Sequence, residues 1–193
     1  MQANESTILK LLGGQKQFVV PIYQRKYGWK KKNCKQLWDD ILRLVNKKDI
    51  PSHFVGSIVY IEKGLYHASS IHSLYVIDGQ QRLATISLLL HALGDAIEKQ
   101  GIDSEITKQK IGNYYLFNNE EEEPFYRKLL LIKGDNETLF KVLDGKEYPK
   151  IYSKNIVENH NYFKKQIKSS GVDLEDLYAA LNKLTIVDIA LDK

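Results

Sequence analysis

Five consecutive residues, Asp78-Gly79-Gln80-Gln81-Arg82, put a carboxylate, two amides and a guanidinium at the junction of two regular segments. The apolar run Val76-Ile77 precedes them and an apolar-periodic segment follows from Leu83, which reads as strand, tight turn, helix. The first amides of a helix lack intrahelical acceptors and sit at the positive end of its dipole, so such a corner draws anions. Gly79 lets a ligand approach the backbone closely. Gln80 and Gln81 can order a phosphate, a metal-bound water or a base edge. Asp78 can hold Mg2+ through water or orient Arg82, whose guanidinium is a permanent bidentate donor. Thr85, one turn on, can donate a hydroxyl. The competing structural reading is that Asp78 caps the helix, Gly79 makes the turn and both glutamines face solvent. The turn is not a Walker loop, because no Gly-Lys-Ser/Thr follows.

A second cluster, Tyr23-Gln24-Arg25-Lys26-Tyr27-Gly28-Trp29, is dense in aromatic, cationic and amide groups and has almost no periodicity, so it is expected to be loop. Tyr23, Tyr27 and Trp29 can stack on bases or pack on the core, and Arg25 can pair with a phosphate or with Asp78. The run Lys30-Lys31-Lys32 directly after it can contact phosphates. Gly56-Ser57 interrupts an otherwise alternating strand, a place where a bulge forms or a ligand or backbone comes close.

The elements that must position these groups follow from patterning. A short helix is expected over 5–12, capped by Ser6 or Thr7, then a strand at Phe18–Val20 closed by Pro21. Asn33 is expected to cap an amphipathic helix over 34–47, with Leu37, Trp38, Ile41 and Leu44 on its apolar face. Strands over Phe54–Glu62 and Leu74–Ile77, joined by a polar connection over Lys63–Ser73, are expected to pair as a hairpin. The helix after Gly79 has the widest apolar face and should be the most buried. Beyond Gly101 the pattern is mainly helical: helices over Ile106–Leu116, after caps at Asp135, Ser153 and Asp173, and a short strand at Leu129–Ile132. Leu184–Leu191 alternates like a strand. The division expected is a mixed α/β core over 1–100, a helical cap or insertion over 101–183, and a strand over 184–193 returning to the core. An apolar strand at the end of the chain suggests a fragment of a longer protein.

Composition narrows the classes. The 193 residues carry a net charge of +4, with 43% hydrophobic and 27% charged residues, as in ordinary globular protein with a mild lean towards anionic partners. The single cysteine, Cys34, excludes an internal disulfide and a cysteine metal cage. No run reaches membrane-span length and no signal-peptide core opens the chain, so a cytoplasmic setting is expected. His53, His67, His72, His91 and His160 form no His-Glu-x-x-His or His-Asn-His spacing, which argues against a zinc or nuclease site. Glu120–Glu123 reads as a solvated acidic loop.

Taken in order, Pro21-Ile22-Tyr23-Gln24-Arg25-x-Tyr27-x-Trp29, a helix bearing Asp39-Asp40-Ile41, Phe54-x-Gly56-Ser57-Ile58 and Asp78-Gly79-Gln80-Gln81-Arg82-Leu83 resemble the N-terminal domain of GmrSD-type modification-dependent restriction proteins. The resemblance is strong over 6–100 and loose beyond. It implies an α/β, ParB/sulfiredoxin-like core and an NTP-binding, often NTP-hydrolysing module of anti-phage defence, commonly followed by an HNH-type nuclease domain outside this chain. Relatives sense modified DNA, including glucosylated cytosine or phosphorothioate backbones. On that reading Asp78, Gln81, Arg82 and Arg25 serve hydrolysis, with Mg2+ at Asp78. Gly79, Gln80, Thr85, Tyr23, Gln24, Gly56 and Ser57 line the nucleotide site. Tyr27, Trp29, Lys30, Lys31 and Lys32 meet a base or DNA. The expected partners are a nucleotide, DNA, a nuclease domain and a second copy of the chain. The alternative is a non-enzymatic DNA-binding module that reads modified bases or backbone for a separate nuclease.

Overall fold

The computed structural model describes residues 2–62, 71–101 and 105–191. It is an α/β fold built on a six-stranded mixed sheet: β1 (Gln2–Thr7), β2 (Lys16–Val19), β3 (His53–Glu62), β4 (His72–Asp78), β5 (Leu129–Leu130) and β6 (Leu184–Leu191). The spatial order is β1-β6-β3-β4-β2-β5. β3 and β4 pair antiparallel, as the hairpin reading expects, whereas β6 runs parallel to β3 and antiparallel to β1. Most of the connection expected over Lys63–Ser73 lies outside the described residues, and β4 already begins at His72.

The helices are α1 (Ile8–Leu12), α2 (Lys31–Asn46), α3 (Gln80–Gln100), α4 (Lys108–Ile111), α5 (Lys133–Leu143), α6 (Lys154–Ser170) and α7 (Leu174–Leu181), with a π-helical turn at Gly112–Leu116 after α4. One hydrophobic core joins them to a single sheet face, through Phe18, Ile58, Tyr60, Leu74, Val76, Leu184 and Ile186. Strand alternation turns Val59, Ile61, Ile77, Val187 and Ile189 to the opposite face, where they are only half-buried. α3 runs through the centre of the core. Leu83, Leu88, Leu89, Leu90 and Leu93 are fully buried, so its apolar character extends around the whole cylinder and not along one stripe.

Three local expectations change. The stretch before Ile8 is strand, not helix, and Thr7 is the cap, its hydroxyl accepting from Lys10 N at 3.2 Å. Gln2–Thr7 has no apolar alternation to reveal it; pairing with β6 makes it an edge strand. Asn33 lies inside α2, where its Oδ1 accepts from Lys30 N at 3.1 Å, so the helix starts earlier than its apolar face suggested. Asp135 lies in the first turn of α5 but points away from the helix end, towards the aromatic-basic loop. Asp173 does cap α7, accepting from Glu175 N and Asp176 N.

Candidate functional site

β4 ends at Asp78, and Gly79 turns the chain into α3 with φ at 94°. That conformation favours glycine, and a Cβ here would lie 2.4 Å from Ile58 Cδ1 and 2.9 Å from Ser57 O. The turn is thus pressed onto β3. No side chain caps the start of α3, and Asp78 projects outward with 61% of its side chain exposed. The Asp78 cap of the competing reading is absent; its carboxylate lies 3.9 Å from Arg82 Nη1.

Arg82 reaches across to β3. Its Nε donates to Val55 O at 2.7 Å and Nη1 to Ser57 O at 3.2 Å. Between those carbonyls is Gly56, with φ at 114°, where β3 slips its register against β6. A Cβ at 56 would sit 2.6 Å from the Cζ, Nε and Nη2 of Arg82. The group that approaches the glycine closely is therefore Arg82 itself.

Gln81 is buried, and its amide clamps the aromatic-basic loop. Oε1 accepts from Gly28 N at 2.7 Å and Trp29 N at 3.1 Å, while Nε2 donates to Lys26 O at 3.2 Å. Gln80 Nε2 donates to Gln24 Oε1 at 3.4 Å, and Gln24 Nε2 to Ile77 O at 3.1 Å. The loop therefore lies against the end of β4. Both glutamines are at most 7% exposed, which removes the competing reading that they face solvent.

A second set of residues, not visible in the motifs, holds the same loop from behind. Asp135 Oδ2 accepts from Tyr27 N at 2.6 Å; Asn155 Nδ2 donates to Tyr27 O at 3.3 Å; Asn159 Nδ2 donates to Trp29 O at 2.8 Å and to the Tyr27 hydroxyl at 2.9 Å. That hydroxyl lies 2.7 Å from Thr85 Oγ1, which donates to Gln81 O at 2.7 Å. The Tyr27 hydroxyl thus gives its proton to Thr85. Burial pushes the Tyr27 phenol up, which keeps it a neutral donor. Burial also raises the neighbouring Cys34 thiol to about 12, so it is no nucleophile. The one sequence signal for this set is a polar Asn159 on the apolar side of α6, between Ile156 and Phe163.

These contacts sort the expected site residues. Thr85 and Tyr27 are corrected: at 0% and 5% exposure, with their hydroxyls bonded to each other, they cannot meet a phosphate or a base. Gln81 is likewise withdrawn from solvent, its carbonyl oxygen shared between two backbone amides. Trp29 is half-buried against the core. Asp78, Tyr23, Arg25 and Lys30–Lys32 face solvent, Tyr23 with 75% exposure. Lys31 Nζ lies 5.8 Å over the Tyr162 ring. Among the described residues, Asp78 belongs to no cluster of three or more His, Cys, Asp or Glu ligand groups. One exposed carboxylate still fits Mg2+, which takes most of its ligands from phosphate and water.

The family described as the N-terminal domain of the GmrSD restriction endonuclease matches residues 8–193, so the likeness extends through the helical segment and the last strand. No curated protein matches the chain. Among the described residues, no helix is long and apolar enough to cross a membrane.

Proposed function

The chain belongs to the family of GmrSD restriction endonuclease N-terminal domains, a module of restriction and defence proteins, and from that premise we propose that it binds and hydrolyses an NTP to regulate DNA restriction. The observation that carries this reading is the wiring of the Asp78–Arg82 turn. Its inner side chains hold the 26–29 loop and the Gly56 bulge, so Asp78, Tyr23 and Arg25 are left facing solvent around an uncapped helix start.

In this reading the phosphates lie against the start of α3, where Gly79 admits them and the dipole favours their charge. Tyr23 stacks on the base. Arg25 and the exposed edge of Arg82 stabilise charge growing on the phosphoryl oxygens. Mg2+ held by Asp78 would neutralise the β- and γ-oxygens. Water attacks the γ-phosphorus, the bond to the β–γ bridging oxygen breaks, and phosphate and NDP leave. Gln80, Gln81, Gly56 and Thr85 position these groups and do not touch substrate. We read 1–100 with 184–193 as the ParB-like core and 101–183 as its cap. Because Asn155 and Asn159 of α6 grip the loop that carries Tyr23 and Arg25, nucleotide state is transmitted to the helical segment and onward to a nuclease domain acting on DNA.

The test is phosphate release from each common NTP with Mg2+. Release that is lost in Arg25→Ala and Asp78→Asn is expected. No release and no calorimetric binding of any NTP overturns the reading. The second reading, a non-enzymatic sensor of modified DNA, is favoured by Ile22 at 93% and Tyr23 at 75% exposure beside Arg25, Lys26 and Lys30–Lys32. It predicts gel shifts of modified DNA by a chain that releases no phosphate.

A further inference from the structure

A second polar cluster lies further along α3, within the α3–α6 interface. His91 and His160 are 7% and 4% exposed, with His91 Nδ1 2.9 Å from His160 Nε2. Asp95, one turn beyond His91, brings Oδ2 to 3.9 Å from His91 Nδ1. One ligand atom from each residue lies within 4.8 Å of the others. We propose that His91 Nδ1, His160 Nε2 and Asp95 Oδ2 form a zinc-class metal site that staples α3 to α6.

Two imidazoles and a carboxylate are a donor set suited to Zn2+, and the fourth position is left to water. Both rings are in the ligating, neutral form: burial lowers the pKa of each, that of His160 to about 3. The main chain at Leu143 opposes that lowering slightly for His91. In the metal-free protein His91 Nδ1 and His160 Nε2 share one hydrogen bond, so a single proton lies between them. Metal binding requires a lone pair on both facing nitrogens, so that proton moves to the other nitrogen of its own ring, a tautomer change that releases nothing. Zn–N bonds of about 2.0–2.1 Å set two nitrogens roughly 3.3 Å apart, so the rings part by a few tenths of an ångström.

Two lysines face the site. Lys108 Nζ binds Asp95 Oδ1 at 3.1 Å and Glu98 at 2.6 Å, away from the proposed metal position. Lys164 Nζ binds Asp95 Oδ2 at 3.3 Å, on the oxygen a metal would take. Lys164 is 39% exposed and lines an open groove of about 630 Å³ with Asp95, Ala92, Ile167 and Val172. Its ammonium is the resident cation, and the groove gives it room to leave and the metal a way in.

The experiment is titration of the tag-free chain with Co2+, read by its visible absorption, followed by displacement with Zn2+. One equivalent is expected to bind. Lys164→Gln should bind about tenfold tighter, because the competing ammonium is gone, and Asp95→Asn about 100-fold weaker or more, since a ligand itself is lost where an outer-shell partner costs about 10- to 100-fold. His160→Gln should abolish binding while keeping its circular dichroism. Lys164→Gln alters a partly exposed side chain and keeps the test decisive should His160→Gln not fold. No stoichiometric binding by either the parent chain or Lys164→Gln, or binding indifferent to both Asp95→Asn and Lys164→Gln, overturns the proposal.

Discussion

The beginning and the middle of α3 bury polar side chains in different ways. At its beginning, Gln81 and Arg82 bond to main-chain groups of residues 26–29 and 55–57. In its middle, His91 and Asp95 bond to the side chains of His160, Lys108 and Lys164. A main-chain partner is always present, does not titrate and cannot rotate away. Bonds to it therefore fix the geometry of a corner. Side-chain partners respond to pH, to ions and to substitution, so the middle of the helix is the adjustable part. On this view the first region is built to hold a site still, and the second is built to change state.

The difference can be tested, starting with the largest effect. Gly79→Ala puts a Cβ into β3 and forces alanine to φ near 94°. A loss of about 3 kcal/mol or more in urea unfolding is expected; a loss under about 1 kcal/mol would mean the turn is not pressed onto the strand. Gln81→Ala removes three hydrogen bonds to the loop and leaves the part-buried amides of Gly28 and Trp29 without this acceptor. It should cost roughly 2 kcal/mol and raise hydrogen exchange at Gly28 and Trp29 more than elsewhere. Uniform exchange across the chain would show that the amide is not a clamp.

The adjustable region should announce itself in acid. Buried His160 titrates near 3 when folded against an ordinary 6.5, so the unfolded chain takes up the proton first. Stability from this group is complete above pH 6.5 and falls as pH drops towards 3. Urea midpoints measured across that range should decline, and His160→Gln should flatten the decline. Asp78→Asn is the smallest structural change: the side chain is 61% exposed, and stability should move by less than about 0.5 kcal/mol. Phosphate release should nevertheless vanish, and release that survives this variant would remove Asp78 from the proposed chemistry.

Much of the corner could be read along the chain. Gly79 as the turn, Gly56 as a bulge and the wide apolar face of α3 are local signals, carried by neighbouring residues. The roles of the two glutamines could not be read. An amide beside a helix start looks the same whether it faces solvent or a loop 52 residues away, as Gln81 faces Trp29. Thr85 and Tyr27 both looked like ligand groups because hydroxyls are ligand groups. Only their mutual approach shows that each satisfies the other.

The amino-acid sequence alone determined the α/β class, the strand–turn–helix around Asp78 and the family, because periodicity, turn chemistry and ordered motifs are short-range properties. The tertiary structure decided which of those polar residues meet solvent. It also put Asp135, Asn155 and Asn159 behind the loop, made Gln2–Thr7 a strand through β6, and joined His91 to His160 across 69 positions. Burial and hydrogen-bond pairing depend on which distant segments pack together, and no local pattern encodes that.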